Sequence, residues 1–147
     1  MQVLAILIAA VSGIAMAYQG SVNAAAVSSI GLVPTTFTVM VIGAVLSGAY
    51  MLIEGTAANL GIPSLTSAPW WAYTGGVVGP VITAAVAYAI GKAGMVNATT
   101  GIILGQLGFA ALIDHLGWFG AEPLHFSPIK IAGIILMAVG GRILLSR

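Results

Sequence analysis

The chain has no cysteine, and its 147 residues include only three acidic and four Lys or Arg side chains. The missing cysteine removes disulfides, thiolate nucleophiles and sulfur metal sites. The missing charge is more restrictive. A soluble domain keeps its surface wet with roughly a quarter charged residues, and this chain has 5%. There is no basic run, so nothing offers nucleic acid the clustered Lys and Arg that displace its counterions. Two histidines, both near one end of the apolar stretches, are too few to pair with carboxylates in a metal centre or to activate a nucleophile. Gly-Lys-Ser/Thr endings and dinucleotide fingerprints are also missing, because the glycines lie in apolar sequence. The composition therefore predicts neither an enzyme nor a cofactor.

What the chain does contain is apolar: 60% of its residues, with a mean hydropathy of +1.13. Such a surface fits lipid as its solvent. Five apolar stretches separated by Pro, Gly, Ser or charge run from Gln2 to Ala26, Leu32 to Ile53, Trp70 to Ile90, Val96 to Ile113 and Ile129 to Leu145. Each is close to the roughly 20 residues that a spanning helix needs. The expected fold is all-α, a single polytopic domain of five transmembrane helices over residues 1–147. Ala15-Met16-Ala17 before Tyr18 has the small-residue look of a signal-peptide cleavage site, but Met1-Gln2-Val3 lacks the basic start of such a peptide, so the first stretch is read as a span.

Two connections are long, Glu54 to Pro69 and His115 to Pro128, and alternation of the spans puts both on the N-terminal face. That face carries Glu54, Asp114, Glu122 and Lys130, while Lys92, Arg142 and Arg147 fall on the other. Lys and Arg mark the cytoplasmic side, which predicts the N-terminus out and the C-terminus in. The bias is small enough that the chain is also expected to insert both ways and pair with an inverted copy.

The polar residues inside the spans are the candidate site. In the first span Ala5, Ala9, Ser12, Met16, Gln19, Asn23 and Ala26 recur at steps of three and four, which predicts one inward face. Gln19 and Asn23 should meet a partner helix or a watery cavity, as interhelical glue or as substrate contacts. The third span opens with Trp70-Trp71-Ala72-Tyr73, an aromatic cluster suited to headgroup depth. Gly75, Gly76, Gly79 and Pro80 follow, where a kink and a close backbone approach are expected. The fourth span carries Gly101, Gly105 and Gln106, with Gln106 expected to face the bundle interior, and ends in Asp114-His115. Asp114 with His115 could relay protons or form a solvated turn, and Glu54 is the remaining candidate for a titrating group, or a snorkelling one. The candidate substrate residues are Gln19, Asn23, Trp71, Gly76, Pro80 and Gln106; the candidate coupling residues are Glu54, Asp114 and His115; no metal ligands are expected.

Several of these runs together resemble a known family: Gln19 and Asn23, Ala68-Pro69-Trp70-Trp71-Ala72-Tyr73 with Gly75-Gly76, Gly105-Gln106, and Asp114-His115-Leu116-Gly117-Trp118-Phe119-Gly120. The set resembles the DUF606 or YdcZ-like family of the drug/metabolite transporter superfamily over essentially the whole chain. The resemblance implies five-helix units that act in pairs, as homodimers, as heterodimers of oppositely oriented homologous subunits or as fused inverted repeats. By analogy with small multidrug transporters of that superfamily, the pathway would lie between two inverted protomers. Gln19 and Asn23 stand where those relatives place a carboxylate. The expected function is a bacterial inner-membrane secondary transporter, an exporter of a small organic metabolite or drug-like compound, working by alternating access as an antiparallel dimer in the bilayer. The alternative is a non-transporting membrane subunit that scaffolds or regulates another complex.

Overall fold

A computed structural model describes residues 2–58, 68–120, 122–123 and 127–146. Residues 59–67, with Gly61-Ile62-Pro63, and Ala121, Leu124 to Phe126 and Arg147 lie outside the described residues. The described chain is helical: α1 (Gln2–Ile30), α2 (Leu32–Ala58), α3 (Thr74–Ala93), α4 (Met95–Leu116) and α5 (Pro128–Leu145), with 3₁₀ turns at Trp70–Tyr73 and Trp118–Gly120. All five helices are long and apolar enough to cross a membrane, as the sequence predicts.

The helix ends follow from local chemistry. The α1 helix runs four residues past the predicted Ala26, because serine does not stop a helix whose carbonyls can take its hydroxyl. Ser28 Oγ donates to Ala25 O at 2.6 Å. The stop is Gly31, at φ +87°, a backbone conformation open to glycine. Gly94, at φ +82° and ψ 163°, separates α3 from α4 in the same way. Gly117 ends α4 in the left-handed region and donates its N–H to Ile113 O at 2.8 Å. The α5 helix opens on Ser127, whose hydroxyl accepts from the Lys130 N–H, with Pro128 at the first helical position.

The packing divides into two compact units, Met1–Tyr88 and Ala89–Arg147. In the first, α1 packs on α2, and the seam lies near the Gly31 turn. Gly20 and Asn23 of α1 and Thr35 of α2 are buried, flanked by the half-buried Ala17, Ala24, Val27, Thr36, Val39 and Met40. These positions recur at steps of three and four, which puts them on facing sides of the hairpin. Away from the turn both helices are exposed, Leu4, Ile8 and Val11 among their side chains. In the second unit α4 packs on α5, along Thr100, Leu104, Leu107, Ala111 and Asp114 of α4 and Ile134 and Gly141 of α5.

Apolar burial is slight. Among the described residues Ala87 and Ala98 are the buried apolar side chains, while large aliphatic side chains are exposed on every helix. In water this would be untenable; in hydrocarbon the lipid tails are as apolar as the side chains they touch, so no hydrophobic force drives the helices together.

Candidate functional site

Hydroxyls and amides inside a bilayer need partners, and several short polar side chains here find one on a backbone carbonyl a turn earlier in the chain. Thr35 Oγ1 donates to Gly31 O at 2.8 Å, Thr36 Oγ1 to Leu32 O at 2.9 Å and Thr100 Oγ1 to Val96 O at 2.8 Å. Asn97 Nδ2 reaches Ala93 O at 3.1 Å. The three amides singled out in the sequence behave differently. Among the described residues, the side chains of Gln19, Asn23 and Gln106 make no hydrogen bond.

Their surroundings differ. Asn23 is 6% exposed, in the α1–α2 seam one turn from Gly20. Gln19 is exposed, as are Ala5, Ala9, Ser12 and Met16. The inward face predicted along the whole of α1 is thus confined to its C-terminal half, from Ala17 to Val27, where α1 approaches α2. Gln106 is also exposed, although it stands at the middle of α4 (Met95–Leu116), the deepest level a span offers. Within the Ala89–Arg147 unit α5 does not cover Gln106.

The α3 candidates sit in the first unit. Trp70 is 78% and Trp71 36% exposed, on a 3₁₀ turn closed by Ala72 N–H to Pro69 O and by Thr74 Oγ1 to Trp71 O. Pro80 lies inside α3, which continues through it from Thr74 to Ala93. It lines an apolar groove of about 350 Å³ with Ala84 and, from α2, Leu32, Val33, Thr36, Phe37 and Met40. The close backbone approach expected at Gly75, Gly76 and Gly79 does not occur: a Cβ added there meets nothing within 4 Å among the described residues. Gly101 and Gly105 are equally open. The close approach occurs instead at Gly141, a position the sequence did not single out, where α5 meets Thr100 and Leu104.

The candidate coupling residues lie at helix ends. Glu54 is exposed and accepts a 2.9 Å hydrogen bond from the Tyr50 hydroxyl one turn earlier. Asp114 is half-buried and His115 exposed in the last turn of α4. Beyond them Trp118 folds back on Phe109, ring centroids 6.5 Å apart and edge to face, with Phe119 6.4 Å further along. Asp114 also lines, with Lys130, a groove of about 460 Å³ between α4 and α5. Lys130 was counted in the sequence only for its charge.

Chemically, the arrangement offers neutral hydrogen-bonding groups at mid-membrane and charge at the ends of the spans. Among the described residues no three His, Asp or Glu side chains come together that could hold a metal.

Comparison with known proteins gives one family. The family model described as "Putative inner membrane exporter, YdcZ" matches residues 4–143. No curated protein and no solved structure matches the chain. The matched region runs from the first turns of α1 to the last turn of α5, so it takes in all five spans. The family is one of membrane transporters, which is not an enzyme class, and it fits the multi-pass architecture described above. The chain belongs to the YdcZ family of inner-membrane proteins, whose name indicates an exporter.

Proposed function

We propose that the protein exports a small, uncharged polar organic compound across a bacterial inner membrane, as an antiparallel pair of five-helix chains working by alternating access. The observation that carries this reading is the state of the three amides. Gln106 is exposed at mid-span and makes no hydrogen bond among the described residues. Moving an amide from water into hydrocarbon without a partner costs about 4–8 kcal/mol. A single chain bathed in lipid would bear that cost at Gln106 and again at Gln19. A second copy enclosing a wet cavity removes it, and the open glycines Gly101 and Gly105 on the same helix leave room for another helix to come close.

Uncharged cargo follows from the charge positions. Among the described residues the acidic and basic side chains, Glu54, Lys92, Asp114, Glu122, Lys130 and Arg142, lie at or near the ends of the helices or in the connections between them, and the mid-span polar groups are neutral. An ion in such a cavity would lose its hydration without a fixed counter-charge. The groups on offer to a neutral solute with donors and acceptors are the amides of Gln19, Asn23 and Gln106, with Trp71 on the 3₁₀ turn and Gly76 and Pro80 on α3 as further candidate contacts. Coupling, where it exists, falls to the groups at the ends, Glu54, Asp114 and His115. The small Lys and Arg bias supports insertion in both orientations.

The test combines topology and flux. A C-terminal reporter in cells is expected to register on both sides of the membrane. Proteoliposomes of the purified chain are expected to move members of a panel of neutral polar compounds, and Gln19→Leu and Gln106→Leu to abolish that movement. Absence of flux for the whole panel, together with a stable complex with an unrelated membrane protein, would support the scaffolding role instead.

A further inference from the structure

We infer that Tyr18 of α1 is a specificity-determining residue of the cavity proposed above, selecting cargo that carries a planar aromatic ring beside its hydrogen-bonding group; the inference rests on that reading of the cavity. Tyrosine sits well at the edge of a bilayer, where its ring is in hydrocarbon and its hydroxyl in water. Three of the four tyrosines follow this rule. Tyr73 is in the 3₁₀ turn before α3, Tyr88 stands five residues from the end of α3 at Ala93, and Tyr50 is one turn from Glu54, to which its hydroxyl donates at 2.9 Å. Tyr18 does not. It follows the middle of α1 (Gln2–Ile30) by two residues, ~3 Å of helix. About 15 Å of hydrocarbon separates the midplane from either headgroup layer, well beyond the reach of a tyrosine side chain. Tyr18 is 73% exposed, and its hydroxyl makes no hydrogen bond among the described residues. A hydroxyl without a partner in hydrocarbon is costly, so this one calls for a polar occupant.

The surface around Tyr18 says what kind of occupant. On the N-terminal half of α1 the exposed residues include the large aliphatics of a lipid-facing helix, Leu4, Ile8, Val11 and Ile14 among them. The character then changes. Around Tyr18 the exposed positions are Ala15, Met16, Gln19, Ser21, Val22 and Ala25, of which Met16 and Val22 alone are large and apolar. Among the described residues the side chains of Gln19 and Ser21 make no hydrogen bond either. An aromatic ring and a few free hydrogen-bonding groups are what a small-molecule pocket is made of. Close helix packing needs small residues at the centre of the contact; here the centre holds a tyrosine, which keeps a second helix off and leaves room beside the ring for something thinner. A flat ring laid against the phenol gains offset-stacked or edge-to-face contact that a saturated ring of the same size does not. The hydroxyl of Tyr18 and the amide of Gln19, each both donor and acceptor, take the polar end of the same compound.

The experiment is fluorine nuclear magnetic resonance of the full chain in lipid nanodiscs, with ring-fluorinated tyrosine in place of tyrosine and the Tyr18 signal assigned as the one lost in Tyr18→Phe. The probes are benzamide and cyclohexanecarboxamide, neutral amides that differ in the aromaticity of their ring. Benzamide is expected to move the Tyr18 signal saturably while those of Tyr50, Tyr73 and Tyr88 hold. It should bind roughly two- to tenfold more tightly than cyclohexanecarboxamide, the scale of one aromatic contact. Tyr18→Leu should bind the two amides alike, and Tyr18→Phe should keep the preference. A Tyr18 signal that benzamide leaves in place, or moves only in proportion to its partition into lipid, overturns the proposal. So do equal affinities in the unaltered chain and a preference that survives in Tyr18→Leu. The signal of the unaltered chain decides the matter even where Tyr18→Leu fails to fold. Uptake into proteoliposomes is scored separately: saturable binding at Tyr18 without uptake of any compound sinks the exporter reading and leaves the binding site standing, whereas uptake with an unmoved Tyr18 signal sinks this site alone.

Discussion

Gly141 of α5 passes so close to Leu104 of α4 that a Cβ built on the glycine would lie 2.6 Å from Leu104 Cδ1, and 3.3 Å from both Leu104 Cγ and Thr100 Cγ2. In a bilayer this contact is held by van der Waals packing, since the hydrophobic effect does not distinguish helix from lipid. Gly141→Ala requires Leu104 to turn aside, which the end of a leucine side chain can do. Gly141→Leu cannot be absorbed that way and should cost about 1–3 kcal/mol, the range for overpacked sites. Thermal unfolding in detergent should place Gly141→Ala near the unaltered protein and Gly141→Leu well below it. Equal midpoints for all three would mean that α5 does not rest on α4 at this residue.

The three turn glycines are not equivalent. Gly117 has φ +66° and ψ 31°, a left-handed conformation that asparagine tolerates. Gly94 has φ +82° and ψ 163°, a region essentially reserved for glycine, where another residue costs about 1–3 kcal/mol. Gly117→Asn should therefore leave stability and yield nearly unchanged, whereas Gly94→Asn should lower both. Expression with size-exclusion profiles of the two variants checks this, and the reverse order would contradict the turn geometry.

Two amides provide a controlled comparison. Asn97 spends its amide on Ala93 O, while Gln106, farther along the same helix, has no such bond. Asn97→Ala is expected to leave self-association unaltered. Gln106→Leu should weaken it by about 0.6–2 kcal/mol, the range for interhelical polar contacts in membranes, or roughly three- to thirtyfold in dissociation constant. Dimer dissociation measured at graded protein-to-detergent ratios distinguishes the two. A Gln106→Leu chain that dimerises as tightly as the unaltered one would remove the amide from the shared surface.

Because the mid-span polar groups are neutral, uptake of neutral cargo into proteoliposomes should not change when a potassium-diffusion potential of either sign is imposed, provided no ion moves with it. A flux that rises with one polarity and falls with the other would show net charge crossing, and would point to Glu54, Asp114 or His115 as carrying it.

The fold was largely legible in the sequence. Runs of apolar residues long enough to cross a bilayer announce helices without any need for periodicity, and each predicted span lies within a helix, α3 together with the 3₁₀ turn at Trp70. The ends were less so: α1 continues to Ile30 because Ser28 bonds to its own helix. The candidate site was legible as a list of residues but not as faces. A helix that is apolar all round has little amphipathic asymmetry to show which side meets a neighbour, so Gln19 and Asn23, one turn apart, could not be told apart as exposed and buried. Glycines misled for the same reason. Gly75, Gly76, Gly79, Gly101 and Gly105 stood out beside prolines, aromatics or an amide, yet the close contact falls to Gly141, in a run with no polar marker beside it except Arg142.

Natural absence of cysteine makes the most direct test simple, since a single introduced thiol is the sole target for a maleimide. With Gln106→Cys in native membranes, a charged, lipid-insoluble maleimide is expected to label the thiol, while Leu136→Cys, exposed on α5, should react only with a lipid-soluble reagent. Labelling of Gln106→Cys by the lipid-soluble reagent alone would put position 106 in contact with acyl chains and contradict a water-accessible cavity shared by two chains.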